Sequence, residues 1–367
     1  MVSPRRSGTE RTSVAIGWVL AISLAGAGVR FQGQVLFSRY QTSDRSTTTT
    51  GLKYLPQLQL GYPLPWGFVN ADLTGQLDWP VTGDGSQPTA GWYRALLRTG
   101  GDTWDLQGGL QQINFGPGRY LRSLRWFDAI DPTDPLQLTN GVKGLRLDAY
   151  GMRSVTRIWL LENSRDLRGL ESIPGRGKTP EYGGRWLISS GGDWGITFHH
   201  RQIGAAPGAI DSAAQEWRLA FDGAVDVGPG LWFEWVENRR DYSGNFPGNQ
   251  EYFLTVGGDY TLPLWSGVTV AVESFQERLG SWTDPRSRLR VMAVDVRLPV
   301  NFTDTLSWLT YRNSAAGWTV STWSWQRVLD AWIVYLGWIH HTGSLDRLPS
   351  GAPFSDGLYL ALIFNHG

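Results

Sequence analysis

One stretch of the sequence carries a regular series of charged side chains. Three arginines recur at every third residue, and three aspartates follow at the same interval. They are Arg119, Arg122, Arg125, Asp128, Asp131 and Asp134. In water-filled passages, groups of charged side chains select ions and polar solutes. Paired with one another, the same side chains would only hold the segment in one conformation. The sequence alone leaves both interpretations open.

This charged series lies in a long segment with the composition of a loop, running from Phe115 to Gly141. Connections longer than about 12 to 15 residues without secondary structure are usually functional. The spacing of the arginines predicts a short helix with the guanidinium groups on one face, ended by Pro132 and Pro135. We therefore predict a functional loop at this place.

On both sides of the loop, the sequence alternates between apolar and polar residues. Between Phe68 and Trp79, one face carries Val69, Ala71, Leu73, Gly75 and Leu77, and the other carries Asn70, Asp72, Thr74, Gln76 and Asp78. Similar segments recur along the chain, each about nine to eleven residues long, which is the length of a tilted membrane strand. One face of each strand must meet an apolar medium and the other must meet water.

The alternation predicts an all-β fold, a transmembrane antiparallel up-and-down β-barrel of about 16 to 18 strands. We expect residues 28–367 to form this single domain, with loop 115–141 narrowing its lumen. The 20 Trp and 13 Tyr of the chain would supply aromatic girdles at the strand ends. A soluble β-sandwich or propeller would also alternate, but it would leave the aromatic strand ends without a role.

The polar face of the predicted strands would line the lumen. Its charged residues are Asp72, Asp78, Arg94, Arg98, Asp105, Arg146, Asp148, Arg157, Arg201, Arg218, Glu234, Asp259, Glu273, Asp295 and Arg297. Both signs are present, so the sequence predicts neither a strict anion channel nor a strict cation channel. If the arginines of the loop dominated the narrowest region, small anions or acidic saccharides would be favoured.

The first residues have the pattern of a secretory signal peptide. Arg5, Arg6 and Arg11 precede an apolar run over 14–24, and Ala25-Gly26-Ala27 provides a small-residue cleavage site. We expect residues 1–27 to be removed and the remainder to be exported.

Composition excludes several classes of protein. The absence of Cys excludes disulfide frameworks, Cys-ligated metals and a Cys nucleophile. The 33 basic and 33 acidic residues balance, which argues against nucleic-acid binding. The mean hydropathy is too low for a bundle of membrane helices, each of which needs about 20 apolar residues. No catalytic or nucleotide-binding motif is present, so we predict no enzyme, no cofactor and no metal.

The end of one strand and the loop that follows resemble a known group. The run from Gln111 to Gly118, Asp128, the Asp-Pro pairs at 131–132 and 134–135, and Gly141-Val142 resemble porin-like outer-membrane barrels of the alginate-export type and related families. Leu110 stands where that pattern usually has Arg, so this chain lacks one charge of the pattern. The resemblance implies a periplasm-facing or lumen-folded loop that narrows a channel.

Together these features predict a passive channel in the outer membrane for polar or charged small solutes, with acidic saccharides among them. Its expected partners are outer-membrane lipid, the solutes and the outer-membrane assembly machinery, and an oligomer is compatible with the sequence. One alternative is a non-conducting barrel for polysaccharide attachment or export. Another is an outer-membrane hydrolase, for which His199 with Ser189 or Ser190 is the candidate pair.

Overall fold

The computed structural model describes residues 28–82, 87–128, 136, 138–205, 213–242, 249–280, 287–343 and 356–367. The predicted signal segment 1–27 lies outside these residues. Eighteen β-strands form the described part of the chain. In chain order, β1 to β18 are Gly28–Thr42, Thr48–Leu64, Gly67–Thr82, Thr89–Gly100, Trp104–Gln111, Val142–Tyr150, Ser154–Glu162, Pro180–Ser189, Asp193–Gly204, Ala213–Asp226, Gly230–Arg240, Gln250–Leu262, Val268–Leu279, Ser287–Pro299, Asp304–Asn313, Trp318–Val328, Trp332–Thr342 and Gly357–His366.

These strands form one closed antiparallel barrel, which confirms the predicted fold class. Each strand pairs with its neighbours in sequence, and β1 closes the sheet by pairing with β18 from Gly33↔His366 to Thr42↔Gly357. Closure leaves no unpaired sheet edge. No helix in the described part of the chain is long and apolar enough to span a membrane.

The two rims of the barrel differ in their connections. One rim carries tight turns, such as those between β8 and β9 and between β10 and β11, and both β1 and β18 have their terminal ends there. The opposite rim carries the longest connection, between Gln111 and Val142. We call these rims the short-turn end and the long-loop end.

The outward face of the wall is apolar on most strands. Large apolar side chains that remain exposed there include Leu145, Ile158, Trp186, Ile196, Leu219, Val256, Val272, Trp308 and Leu336. Aromatic residues near strand ends, among them Trp194, Trp217 and Tyr260, are exposed on the same face. An apolar surface of this extent on a closed barrel is typical of a wall that faces lipid.

The hydrophobic core lies inside the barrel. Apolar side chains from the loop between β5 and β6 pack against inward-facing side chains of the wall. The loop contributes Phe115, Leu121, Leu124, Trp126 and Phe127, and the wall contributes Trp159, Val236, Phe253 and Phe275, among others. The barrel is therefore partly filled by its own loop, and this packing positions the charged series predicted from the sequence.

Candidate functional site

The loop that follows β5 enters the lumen from the long-loop end, where a carboxylate on β13 binds its backbone. Glu273 is buried, and its Oε1 accepts a hydrogen bond from the Arg119 N–H at 2.7 Å. Its Oε2 accepts from the N–H groups of Tyr120 and Leu121 at 2.8 and 2.6 Å. Hydrogen bonds from N–H groups to a carboxylate are stronger than those between neutral groups.

A second buried carboxylate, Glu234 on β11, binds the same stretch of loop. Its Oε1 accepts from the Gly118 N–H at 2.8 Å, and its Oε2 accepts from Ser123 at 2.6 Å and Leu124 at 2.9 Å. We call Glu234 and Glu273 the carboxylate anchor. Because the anchor binds main-chain N–H groups, it fixes the path of the loop backbone independently of the loop side chains.

The helix predicted from the arginine spacing is wrong for the described residues 115–128, which contain no helix. The physical reason is the carboxylate anchor, since backbone N–H groups bound to Glu234 and Glu273 cannot serve the i to i−4 bonds of a helix. Gly116 has a φ of +93°, and a Cβ at this position would collide with the Glu234 carboxylate. Glycine therefore permits the close approach at this point.

The three arginines of the series occupy three different environments. Arg119 is 48% exposed, donates to Asp259 at 2.6 Å and lies 4.4 Å from the centre of the Trp232 ring. Arg122 is buried and bonds Asp128 at 2.7 Å. Arg125 follows them in sequence and is half-buried. The arginines therefore do not share one face, and only Arg119 presents an exposed guanidinium.

The aspartates of the series are only partly described. Asp128 is buried in its ion pair with Arg122, and the same guanidinium also bonds Asn114 and the Phe115 carbonyl oxygen. Asp131 and Asp134 lie outside the described residues. For the pair that is described, the charges brace the loop internally, as in the second of the two interpretations above.

Tyr120 extends the contact between the loop and the wall to β14. Its hydroxyl donates to Asp295 at 2.7 Å, and Arg297 bonds the same carboxylate at 2.7 Å. Burial raises the pKa of the Tyr120 phenol, and the hydrogen bond to Asp295 raises it further. The phenol therefore remains protonated and continues to donate at physiological pH.

The returning arm of the loop contacts the other side of the wall. Leu136 packs against the cluster of Leu36, Ala361 and Ile363 on β1 and β18. Further along, the Thr139 carbonyl oxygen accepts from Arg94 on β4 at 3.0 Å. The loop thus touches both halves of the barrel and reduces the space between them.

The remaining predicted lumen residues all face inward, and most of them form ion pairs. Asp148 binds Arg157 at 2.7 Å and Arg146 at 3.3 Å, and Asp105 binds Arg98. Asp78 pairs with Lys53 on the neighbouring strand at 3.2 Å, and Asp222 on β10 reaches across β9 to Arg185 on β8 at 2.6 Å. Asp72 differs, because it accepts from the side chains of Gln57, Gln59 and Thr74. Alternation located these groups but not their partners.

A buried network surrounds Arg201 and Arg218. Both guanidinium groups contact Glu171 and Glu216 at 2.6 to 2.9 Å. Glu216 also binds Arg240 at 2.6 Å. Of these partners, Glu216 could have been placed by its alternation with Arg218, whereas Glu171 lies on the connection between β7 and β8 and only folding brings it here.

The charges of this network hold one another ionised. Burial alone would raise the pKa of Glu171, but the guanidinium groups of Arg201, Arg168 and Arg218 outweigh burial and lower it below its ordinary value. Arg168 reaches from the same connection to Glu181 at 2.6 Å. The network therefore ties the connection between β7 and β8 to the inner wall.

The residues considered for hydrolysis are not brought together. His199 is buried against Trp159, whose indole nitrogen lies 3.1 Å from Nδ1, and its Nε2 lies 3.4 Å from Glu181. Ser189 instead donates to Asp193 at 2.6 Å. Among the described residues, no group of three or more metal-binding side chains is suited to hold an ion.

On the short-turn side of the loop, the lumen contains a cavity of about 800 Å³. Its lining includes Arg119, Asp193, Asp226, Trp232, Asp259 and Thr261. The exposed Arg119–Asp259 pair thus faces a space large enough for a small solute.

The geometry defines a class: an 18-stranded antiparallel barrel with a loop folded into its lumen. OccD3 (OpdP) of Pseudomonas aeruginosa shares this fold with a TM-score of 0.61 and 8% identity, covering 94% of this chain and 93% of its own. OccAB2 of Acinetobacter baumannii shares it with a TM-score of 0.59 and 8% identity, over 94% and 98%. The outer membrane protein OprD of Pseudomonas aeruginosa gives 0.57 and 9%, over 93% of each chain.

These similarities establish the fold of the chain. No protein-family model and no curated protein sequence matches it. At such low identity, the shared architecture carries no information about the solute.

Proposed function

We propose that this protein is a passive outer-membrane channel for small polar or charged solutes. The observation that carries the proposal is the loop held inside the lumen by Glu234 and Glu273, beside a cavity of about 800 Å³. A barrel of this size has room for an aqueous lumen, and a folded-in loop narrows it to the scale of a small solute. OprD, which shares the fold, is an outer membrane protein.

The alternation of apolar and polar side chains along the strands of the wall supports a location in the outer membrane. Exposed apolar side chains cover the outward face, and charged or amide side chains cover the inward face. Neither a cofactor nor energy coupling is part of the proposal, since diffusion through a water-filled lumen needs neither.

Electrophysiology tests the proposal directly. Purified protein added to a planar lipid bilayer should produce discrete, long-lived conductance steps, and it should migrate differently in detergent gels before and after heating. Heat-modifiable protein that gives no conductance would instead indicate the non-conducting barrel that was the alternative from the sequence.

We expect weak charge selectivity in the unaltered channel. The loop arginines do not act as free cations, since Arg119 is bound to Asp259 and Arg122 to Asp128. Acidic saccharides, which the sequence favours if the loop arginines dominate the narrowest region, therefore remain one candidate class among small polar solutes.

Breaking the exposed pair should shift selectivity in opposite directions. Arg119→Gln leaves the Asp259 carboxylate without its cation and should move the reversal potential toward cation preference. Asp259→Asn leaves Arg119 without its anion and should move it toward anion preference. We expect both permeability ratios to change by less than about tenfold, because many other charges line the lumen. Equal shifts of the same sign, or none, would contradict a solute path beside this pair.

A further inference from the structure

Four arginines lie on the outward faces of β11, β13, β14 and β15, near the long-loop end. They are Arg239, Arg278, Arg290 and Arg312. Their outward direction follows from the register. Met292, which is 46% exposed on the apolar outer face, is paired with Arg312, and Arg290 lies two residues from Met292 on the same strand. We call these four arginines the outer basic patch.

Arg290 and Arg312 are neighbours across adjacent strands. Their positions are diagonal to one another on one face of the sheet, a relation that places residues about 7 to 8 Å apart. Both side chains are exposed, and neither has a carboxylate within ion-pair distance in the described part of the chain. Gln276 faces Arg290 from β13 and adds a neutral hydrogen-bonding group.

The patch has a strong excess of positive charge. On the outward faces of β11 to β15 in their long-loop half, Glu237 is the one carboxylate among the described residues. It is already engaged, binding Arg239 at 2.5 Å and accepting from the Tyr252 hydroxyl at 3.3 Å. Elsewhere in the long-loop half of the described outer wall, the outward cations are the separated Arg39 and Lys143.

The apolar part of the outer face begins next to the patch, on its side toward the short-turn end. Met292, Val272 and Trp308 are exposed on the same face toward the short-turn end. A ligand that contacts both the outer basic patch and the adjacent apolar face must therefore carry a negatively charged group attached to a hydrocarbon portion. Guanidinium groups match phosphate oxygens in geometry and charge, and arginines near a membrane surface attract anionic headgroups.

We propose that the outer basic patch binds the phosphate groups of anionic lipids in the leaflet at the long-loop end. Arg290 and Arg312 supply two guanidinium groups that have no carboxylate partner among the described residues, and the adjacent apolar outer surface contacts the acyl chains. The proposal rests on the membrane location proposed above, but not on solute passage through the lumen.

Native mass spectrometry of the detergent-purified full-length protein tests this proposal. The protein is mixed with micelles containing phosphatidylglycerol or phosphatidylcholine, and retained lipid is counted. We expect the unaltered protein to retain phosphatidylglycerol several-fold more than phosphatidylcholine. The double variant Arg290→Gln/Arg312→Gln should lose this preference, and Arg39→Gln/Lys143→Gln, which removes two outward cations elsewhere, should keep it. The single variants R290Q and R312Q, each expected to lower the preference, replace the double variant if it does not assemble.

Three results would overturn the proposal. They are equal retention of both lipids by the unaltered protein, equal loss in the control variant, and displacement of phosphatidylglycerol by inorganic phosphate at the same phosphate concentration. The last would mean a site for free anions. Bilayer conductance of the same variants separates the lipid-site proposal from the channel proposal. An R290Q/R312Q protein that conducts but has no lipid preference supports both proposals. An unaltered protein that prefers phosphatidylglycerol but does not conduct contradicts only the channel proposal.

Discussion

Replacing both anchoring carboxylates, Glu234→Gln/Glu273→Gln, is expected to at least double the single-channel conductance and to make it noisier. In the unaltered protein, these two side chains accept six hydrogen bonds from the loop backbone. A Gln amide keeps one acceptor oxygen but turns an NH₂ group toward backbone N–H groups, which leaves buried donors unpaired. Each such loss costs about 1 to 3 kcal/mol, so the loop should leave its position on the wall.

The measurement is the conductance of single channels in planar bilayers. Asp72→Asn is the matched control, since Asp72 is also an inward-facing carboxylate but binds the side chains of Gln57, Gln59 and Thr74 rather than the loop. We expect its conductance to stay near that of the unaltered protein. An unchanged conductance in the double variant would show that the loop does not limit the passage.

Glu216→Gln is expected to produce the largest loss of stability among the lumen variants. Glu216 is fully buried and binds three guanidinium groups, those of Arg201, Arg218 and Arg240. Removing its charge leaves uncompensated buried cations, and breaking a buried ion pair in this way costs about 3 to 5 kcal/mol. The free energy of unfolding should fall by that amount.

Denaturant unfolding in detergent, followed by Trp fluorescence, measures this change. Asp78→Asn is the control, because the Lys53–Asp78 pair is about 30% exposed and should contribute less than about 1 kcal/mol. Equal losses of unfolding free energy in the two variants would contradict the burial of the Glu216 network that the structure shows.

Both predictions concern charges that the sequence located without their partners. Glu234 and Glu273 alternate with apolar neighbours, so their inward direction was predictable from β11 and β13 alone. That they bind the loop was not predictable, because Gly118 and Glu234 are 116 residues apart and Arg119 and Glu273 are 154 apart. The loop conformation depends on these distant carboxylates, which is why the helix predicted from arginine spacing is wrong.

The sequence by itself determined the all-β barrel, the range of strand number that includes the observed eighteen, and the inward direction of the charged residues assigned to the lumen. It could do so because alternation with a period of two is a local property, set by adjacent residues along one strand. The tertiary structure alone decided which opposite charges meet, that Arg119 is the exposed cation of the loop, and that Arg290 and Arg312 are neighbours on the outer wall. Those relations depend on strand register and on closure, because register decides which residues of adjacent strands are neighbours and closure brings strands far apart in the chain around one lumen.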